Sequence, residues 1–480
     1  MPLRFLISLT AKERNKNIAK PAWKSQALFF LILSISSIAF QCASIYFGYK
    51  RYLFNLETIL SFLIFSMGYR WFATIIFIAS VFQEIFLGMA SILYLFDYSQ
   101  IKTIAGFIFE AKTSYIFSLG IALLIISTIF IGTSHLLRKV SWQRVLFILV
   151  TLTAVQLTAS FKEGNFNKPS LASRENLIFG SSSYFIQELF ELNRKLFNLR
   201  SHDNVDYVQI QSPSAFELTV DNSLKKENQP DKILFIIAES WGLPTDPKIL
   251  EQQIQSLRDN KKLEIIKLTN IHAVGATAFA EFRELCGKIP TKLNLNKIAE
   301  SDLGPCRPKK FSEQGYKTIS IHGAHGTMYD RVNWYPVLGF QEMIFKEILP
   351  FGKEYQCHSF PGYCDRYLFP TVVEKISSTE KVFLYWMTLN SHTPYDRRDT
   401  HNYRENLCKA VFKIDYEAQL CTYQNLHTQF FDNLSEALQN PSLTGTEVVI
   451  VGDHAPIFNN ESSRSLFETQ KVPVLHLLVK

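Results

Sequence analysis

The composition of this chain changes abruptly near residue 160. Before that point the chain is rich in Phe, Ile and Leu, whereas the remainder has the charge content of an ordinary water-exposed domain. The 480 residues leave room for more than one domain. The sequence therefore predicts an apolar first domain, followed by a polar domain with its own core.

Five apolar stretches in the first domain come near the roughly 20 residues that an α-helix needs to cross a bilayer. The first stretch also fits a cleaved signal peptide, but further apolar stretches follow it and no small-residue cleavage site does. We therefore predict about five transmembrane helices within residues 1–161. They lie at residues 27–46, 52–67, 71–96, 115–137 and 145–161.

Basic residues indicate how these helices are oriented. Six lysines and arginines precede the first stretch, Arg70 follows the second, and three more lie between the fourth and fifth. The alternate loops hold fewer, which predicts a cytoplasmic N-terminus and places the chain after residue 161 outside the membrane. The net charge of +7 is spread along the chain and does not indicate a nucleic-acid partner.

Glu84 lies inside the third apolar stretch. A carboxylate at that depth is costly and often functional. It can equally well face a neighbouring helix or a water pocket, and its role stays open.

Six of the seven cysteines follow the apolar domain. An even number of cysteines in an oxidising compartment suggests disulfides, and the chain has no C-x-x-C pair that would favour zinc. Joining neighbours in the sequence predicts Cys286–Cys306, Cys357–Cys364 and Cys408–Cys421.

Residues 162–230 form a polar linker in this interpretation. Within it, residues 183–199 carry apolar side chains at helical spacing. This segment is either an amphipathic helix on the membrane surface or a helix packed on the following domain. The polar domain then runs from 231 to 480.

Short apolar runs alternate with helical patterns in residues 231–480. The runs at 233–238, 318–321, 382–389 and 448–451 are apolar on both faces. Such runs predict an α/β domain with a mostly parallel sheet between helices. Ligands in sheets of this kind bind beyond the carboxyl ends of the strands.

Three landmarks lie at such positions. Glu239 follows the first run, and Asp453 and His454 follow the last one after a glycine. Thr277 stands between Gly275 and a helical pattern, where it is either a plain N-cap or part of an anion-binding helix start. Oxygen and nitrogen ligands of this kind suit Zn²⁺ or Mn²⁺.

In this order, the landmarks resemble the alkaline-phosphatase-like, or sulfatase-fold, superfamily. Within it, the chain is similar to membrane transferases: lipoteichoic acid synthases, osmoregulated-glucan phosphoglycerol transferases and lipid A phosphoethanolamine transferases. The resemblance covers about residue 232 to the C-terminus, together with the apolar domain. It implies one divalent metal, Zn or Mn, and Thr277 as the nucleophile. The metal ligands that it implies are Glu239, Thr277, Asp453 and His454.

The same resemblance assigns further residues. His392 matches a histidine that contacts the transferred phosphate, and His322 matches one that lines the head-group pocket. Both are assigned catalytic roles, although a lone histidine is more often a core residue. Substrate-binding roles are predicted for Trp241, Glu281, Tyr329 and Arg331. Asp365 lies in a segment similar to the family but is interpreted as structural.

The resemblance implies transfer of a phosphodiester head group from a membrane phospholipid to an envelope glycan or lipid through a phospho-Thr intermediate. Phosphoglycerol from phosphatidylglycerol is favoured, because no histidine follows closely after His454 to hold a second metal. The alternatives are a phosphoethanolamine transferase using phosphatidylethanolamine, a hydrolase, and an inactive lipid-binding sensor. A true sulfatase is disfavoured, because Lys310 replaces the arginine that the C-x-P-x-R motif at Cys306 requires. The expected location is the bacterial inner membrane, with residues 231–480 on the periplasmic side.

Overall fold

A computed structural model of the chain describes residues 56–92, 113–138, 141–162, 207–210, 212–220, 230–273, 275, 277–290, 298–412, 417–458 and 460–480. The chain divides into two compact units, Met1–Ser201 and His202–Lys480.

Helices make up nearly all of the described part of the first unit. Its helices correspond to four of the five predicted apolar stretches, and the first stretch, 27–46, lies outside the described residues. The helices are α1 (Leu56–Ser66), α2 (Arg70–Ile92), α3 (Thr113–Leu137) and α4 (Trp142–Lys162).

Aromatic side chains form the core of this unit. The rings of Phe77 and Phe130 stack with centroids 3.9 Å apart, and Phe62 packs on both. Glu84 is buried here, and the hydroxyls of Thr58 and Ser80 lie 2.9 Å apart. The outward side of α2 is also apolar, because Trp71 and other large side chains are exposed there.

None of the helices in the described part of the chain combines the length and the apolar character needed to cross a membrane. The prediction of five membrane-crossing helices is therefore not confirmed. The amphipathic segment predicted at 183–199 lies outside the described residues.

The second unit contains two sheets surrounded by helices. Its strands are β1 (Tyr207–Gln209), β2 (Lys232–Ala238), β3 (Leu263–His272), β4 (Lys288–Pro290), β5 (Lys317–His322), β6 (Glu342–Ile344), β7 (Val382–Met387), β8 (Glu447–Gly452) and β9 (Lys471–Val479). Its α-helices are α5 (Ala215–Leu218), α6 (Pro247–Gln253), α7 (Gln255–Asp259), α8 (Thr277–Cys286), α9 (Glu300–Leu303), α10 (Arg307–Glu313), α11 (Arg331–Leu338), α12 (Phe369–Ser377), α13 (Glu405–Val411), α14 (Ala418–Ala437) and α15 (Glu461–Arg464).

The main sheet has seven strands in the order β3-β9-β8-β2-β7-β5-β6. Parallel pairing runs from β8 to β6, and β2 lies near the centre, where Ile236 pairs with Ile450 on one side and Trp386 on the other. The predicted runs at 233–238, 318–321, 382–389 and 448–451 correspond to β2, β5, β7 and β8. Their side chains are almost entirely buried, which explains why these strands lack the alternation of half-exposed ones.

One edge of the sheet is formed by strands β3 and β9, which were not predicted from the sequence. Strand β9 pairs antiparallel with both β8 and β3, so the sheet is mixed. Pro473 lies within β9, and a proline argues against a central strand because it cannot donate a hydrogen bond to the ladder. The structure accommodates it because the ladder with β8 begins one residue later, at Val474.

Part of the predicted linker also packs in this unit. Strand β1 pairs antiparallel with β4, and the buried Phe216 of α5 lies against Phe235 of β2, with ring centroids 4.9 Å apart.

The predicted disulfides Cys286–Cys306, Cys357–Cys364 and Cys408–Cys421 are all present.

Candidate active site

The candidate site lies at the carboxyl ends of the central parallel strands. Glu239 directly follows β2, Asp453 directly follows β8, and His322 is the last residue of β5. Since these strands are parallel neighbours, their ends meet at one edge of the sheet. Residues separated by more than a hundred positions in sequence are brought together there.

Glu239, Asp453 and His454 form a compact cluster, with one ligand atom of each within 4.8 Å of the others. His454 Nε2 lies 3.2 Å from Asp453 Oδ2 and 3.6 Å from Glu239 Oε1. Its Nδ1 contacts the Ala455 carbonyl at 2.9 Å, which orients the ring and leaves Nε2 facing the carboxylates. This donor set fits a divalent cation.

Thr277 completes the cluster from another element. Its Oγ1 lies 3.0 Å from Asp453 Oδ2 and 3.2 Å from Glu239 Oε2. A hydroxyl has one proton, so it can donate to only one of these oxygens at a time. The hydroxyl and the two carboxylate oxygens therefore converge with too few protons to pair them all, and such an arrangement of oxygens suits a bound cation.

Thr277 is the first residue of α8, a position with unpaired backbone N–H groups and partial positive charge. Gly275 has φ +90° just before it, and a Cβ there would lie 2.6 Å from the Phe279 ring. Glycine is therefore required for the tight entry into the helix.

Burial and like charge govern protonation in the cluster. Burial, together with the Glu239 carboxylate, raises the pKa of Asp453 to about 7. Burial alone would lower the pKa of His454, but the Asp453 and Glu239 carboxylates outweigh it and hold that pKa above its ordinary value. A buried Asp453 carboxyl that resists ionisation beside the Glu239 side chain again indicates a place for positive charge.

Ser240 was not selected from the sequence, yet it contacts both carboxylates. Its backbone N–H donates to Asp453 Oδ1 at 2.7 Å, and its hydroxyl donates to Glu239 Oε1 at 2.9 Å. The residue has φ 55°, a left-handed conformation that is costly for a non-glycine residue. The strained conformation and the two hydrogen bonds together indicate that Ser240 orients both carboxylates.

Close approach of the two strand ends makes these contacts possible. A Cβ on Gly452 would lie 1.9 Å from the Trp241 carbonyl oxygen, so only glycine fits there. The Trp241 indole itself is fully buried and donates to Gln253 Oε1 at 2.9 Å. The structure therefore places Trp241 in the core and does not support the substrate contact predicted for its side chain.

His392 and His322 both direct Nδ1 to a backbone carbonyl. His392 contacts the Thr393 oxygen at 2.6 Å, and His322 contacts the Met387 oxygen at 2.9 Å. Burial, with a smaller contribution from His454, lowers the pKa of His392 to about 4, although the Thr393 carbonyl and Asp453 oppose this change. Burial and Arg331 hold the pKa of His322 well below its ordinary range. Both rings are thus neutral, with Nε2 as the atom that can meet a ligand.

Arg331 and Glu281 form a buried ion pair with each other. The Arg331 Nη2 to Glu281 Oε2 distance is 2.8 Å, and the side chains are 1% and 0% exposed. The hydroxyls of Tyr335 and Tyr385 also donate to Glu281. The Glu281 carboxylate therefore binds side chains of this chain, which does not support its predicted role as a substrate ligand. The Arg331 guanidinium is likewise hydrogen-bonded to Glu281.

Tyr329 packs against Arg331 of this pair and interacts electrostatically with Glu239 and Asp453, which together with His454 are called the metal-type cluster. The Arg331 guanidinium stands 5.2 Å from the centre of its ring. Burial raises the pKa of the Tyr329 hydroxyl, Arg331 opposes that rise, and the Glu239, Glu281 and Asp453 carboxylates add to it. Tyr329 is half-buried, so it keeps a surface that a substrate can contact.

Asp365 has a structural environment, in agreement with its interpretation from the sequence. Its carboxylate accepts the backbone N–H groups of Leu389 and Asn390, and burial raises its pKa to about 7. It fixes the segment that follows β7 and leads to His392.

Comparison with known proteins identifies the same domain. The sequence model of the sulfatase family matches residues 231–472. No curated protein matches this chain at a significant level.

Similar folds occur among solved structures, all at low sequence identity. The lipoteichoic acid synthase LtaP from Listeria monocytogenes is 18% identical, with a TM-score of 0.39 over 52% of this chain and 65% of that one. The chain therefore spans less than two thirds of the length of that structure. The phosphoglycerol transferase GacH from Streptococcus pyogenes, solved with sn-glycerol-1-phosphate, is 16% identical, with a TM-score of 0.35 over 54% of this chain and 72% of that one. The C-terminal periplasmic domain of EcEptC from Escherichia coli, solved with Zn, is 13% identical, with a TM-score of 0.36 over 53% and 74%.

Proposed function

Because the chain belongs to the sulfatase family, we propose that it is a metal-dependent phosphotransferase in which Thr277 is the nucleophile. The observation that carries this proposal is the position of the Thr277 hydroxyl. It lies at the start of α8 and within 3.2 Å of both Glu239 and Asp453. A nucleophilic oxygen, a cation-binding set and an anion-binding helix start thus coincide.

Glu239, Thr277, Asp453 and His454 would hold one divalent cation, Zn²⁺ or Mn²⁺. When bound, such a cation lowers the pKa of a coordinated hydroxyl and neutralises charge on phosphoryl oxygens. A single ion is favoured, because the one histidine beyond His454 is His476, and its Nε2 lies 3.0 Å from Glu447 Oε2 on the neighbouring strand.

The reaction consists of two displacements at phosphorus. The Thr277 oxygen forms a bond to the phosphorus of a phospholipid head group as the bond to diacylglycerol breaks, and diacylglycerol takes up a proton. An acceptor hydroxyl then attacks the phospho-Thr, restores the Thr277 hydroxyl and keeps the head group. The N–H groups at the start of α8 stabilise the phosphoryl oxygens. In their neutral form His392 and His322 carry a lone pair on Nε2, so they assist by accepting a proton, and a ring that has accepted one can then donate to a phosphoryl oxygen.

The donor favoured here is phosphatidylglycerol, with an envelope glycan or lipid as the acceptor. Phosphatidylethanolamine is the alternative donor, and the three disulfides favour it, since they resemble those of phosphoethanolamine transferases.

Several features support a location at the outer side of the bacterial inner membrane. The described helices of the first unit expose large apolar side chains, among them Trp71 at 87% and Phe147 at 72%. The basic residues near the N-terminus favour a cytoplasmic start, and the disulfides favour an oxidising compartment for residues 231–480. We propose that the first unit holds the catalytic unit where lipid donors are presented.

The proposal is tested by incubating the full-length protein in detergent with Mn²⁺ or Zn²⁺ and either phospholipid. Intact mass spectrometry then follows an adduct on Thr277, and lipid analysis follows diacylglycerol. We expect a phosphoglycerol adduct with phosphatidylglycerol, no adduct in Thr277→Ala, and a wild-type yield in Thr444→Ala, an exposed threonine.

An adduct formed only with phosphatidylethanolamine would replace the favoured donor with the alternative. A protein that binds the cation but forms no adduct and releases no diacylglycerol with either lipid would contradict the proposed reaction with these donors. A protein that binds no cation would favour the inactive sensor.

A further inference from the structure

Arg283 lies on α8, and the proposed reaction does not use it. Its side chain is buried, and its guanidinium donates to the carbonyl oxygens of Gly452 at 3.1 Å and Asp453 at 3.3 Å. Gly452 is the last residue of β8, and Asp453, which follows it, is one of the candidate metal ligands. Arg283 therefore joins the helix that carries Thr277 to the strand end that carries Asp453.

Glu284 holds Arg283 in this position. Its Oε1 accepts from Arg283 Nε at 2.6 Å, and the Glu284 side chain is fully buried. Its second oxygen accepts the backbone N–H of Ala215 at 2.9 Å. A buried carboxylate needs both charge compensation and hydrogen bonds, and here each oxygen has a different partner.

Ala215 belongs to a segment far from α8 in sequence, residues 214–218, which we call the docking segment. The Ser214 hydroxyl caps α5 and accepts from Arg307 Nη2 at 2.8 Å. The Arg307 guanidinium also lies 4.8 Å from the centre of the Phe216 ring and donates from Nε to the Glu284 carbonyl at 2.7 Å. Two connections thus fix the docking segment to α8. The Ala215 N–H donates to Glu284, and Arg307 donates both to Ser214 and to the Glu284 carbonyl.

We propose that Arg283 and Glu284 are positioning residues of the metal site and that the docking segment completes their hydrogen bonding. This inference rests on the proposed function, since it concerns the same metal site. A continuous series of contacts runs from the Ala215 N–H through Glu284 and Arg283 to the backbone of Asp453. The docking segment therefore sets the distance between Asp453 and Thr277, although it contacts neither side chain.

The physical reason is that Asp453 is oriented through its backbone as well as its carboxylate. Without Glu284 as partner, the Arg283 guanidinium would lie buried beside two carbonyls with no balancing carboxylate. It would then shift toward other acceptors and release the Gly452 and Asp453 carbonyls. Loss of groups that support metal ligands typically weakens metal affinity about 10-fold to 100-fold.

The experiment measures Mn²⁺ affinity of the full-length protein by titration, with Glu284→Gln and Ser214→Ala as variants. We expect Glu284→Gln to weaken Mn²⁺ binding by about 10-fold or more. Ser214→Ala leaves every group on α8 intact and loosens only the docking segment, so it should weaken binding by a smaller factor. It also keeps the inference testable if Glu284→Gln fails to fold.

The matched control is Asp246→Ala, which removes the side-chain cap of α6, where Asp246 accepts from Lys248 N at 2.9 Å. The Asp246→Ala protein loses a helix cap, as the Ser214→Ala protein does. Asp246 is not part of the series of contacts, so the Asp246→Ala protein should bind Mn²⁺ with the affinity of the wild type. Folded Ser214→Ala and Glu284→Gln proteins with wild-type affinity would overturn the inference. Equal weakening by Asp246→Ala would overturn it too, because the effect would then be general destabilisation. A wild type that binds Mn²⁺ without forming the Thr277 adduct contradicts the proposed function alone.

Discussion

At the scale of single residues, Ser240 shows how a strained backbone serves the site. In the left-handed region its N–H and its hydroxyl point to different carboxylates, those of Asp453 and Glu239. A residue in an ordinary strand conformation could not direct both groups in this way. The strain, of order 1 kcal/mol, is therefore tied to orienting two metal ligands at once.

Two substitutions at Ser240 distinguish the effect of losing the hydroxyl from the effect of relieving the backbone strain. Ser240→Ala and Ser240→Gly both remove the hydrogen bond to Glu239, so each should weaken Mn²⁺ binding by about 10-fold. Glycine adopts a positive φ without penalty, so Ser240→Gly should be more stable than Ser240→Ala by about 1 kcal/mol. Metal titration and thermal unfolding measure the two effects. The exposed Ser378→Ala serves as control, and unchanged affinity in both Ser240 variants would contradict this role.

At the scale of secondary-structure elements, α8 is fixed from several directions. Its first residue meets the carboxylates of the metal-type cluster, and Glu281 is joined to Arg331 of α11. Its last residue, Cys286, is joined to Cys306. A helix held at its start, middle and end keeps the Thr277 oxygen in place without relying on its own ten residues for stability.

The buried pair between α8 and α11 should be far more important for stability than an exposed pair. Glu281→Ala leaves the Arg331 charge buried without its partner, which should cost about 3–5 kcal/mol. Glu251→Ala breaks the pair with Arg258, whose side chains are 44% and 37% exposed, and should cost less than about 1 kcal/mol. Thermal unfolding of both variants measures the difference. Similar stability losses would show that Glu281 contributes no more than a surface charge.

At the scale of the whole molecule, the first unit exposes an apolar face on helix α2. Helix α2 presents Trp71, Ile75, Ile78 and Phe82, which are 87%, 62%, 61% and 53% exposed. Their spacing of three or four residues places them on one face, opposite the buried Phe77. A water-exposed stripe of this size is unfavourable, so an apolar environment should cover it.

We expect the full-length protein to stay with membranes during washes with high salt and to require detergent for release. Replacing Trp71, Ile75, Ile78 and Phe82 with serine should reduce this retention, because each buried large apolar side chain contributes about 1.5–3 kcal/mol. The control is Ile348→Ser, which alters an apolar residue of the second unit that is 65% exposed. Retention of the fourfold variant at the wild-type level would exclude this face of α2 as the main contact.

The sequence alone determined the features that depend on neighbouring residues. The buried runs that became β2, β5, β7 and β8 were recognisable because a strand covered on both faces is continuously apolar. The positions of Glu239 and Asp453 followed, since Glu239 comes directly after such a run and Asp453 comes one glycine after another. The disulfides followed as well, because each joins cysteines that are neighbours in the sequence.

The features that depend on distant contacts could not be inferred from the sequence, because the partners meet only in the folded chain. Arg331 is suited to binding a phosphate, yet it pairs with Glu281, which is 50 residues away in sequence. Ser240 gains its role from Asp453, which is 213 residues away, and β9 becomes a strand despite Pro473 because β8 and β3 lie on either side of it. A local pattern records what a residue can do, whereas burial and partners, which the folded chain supplies, determine what it does.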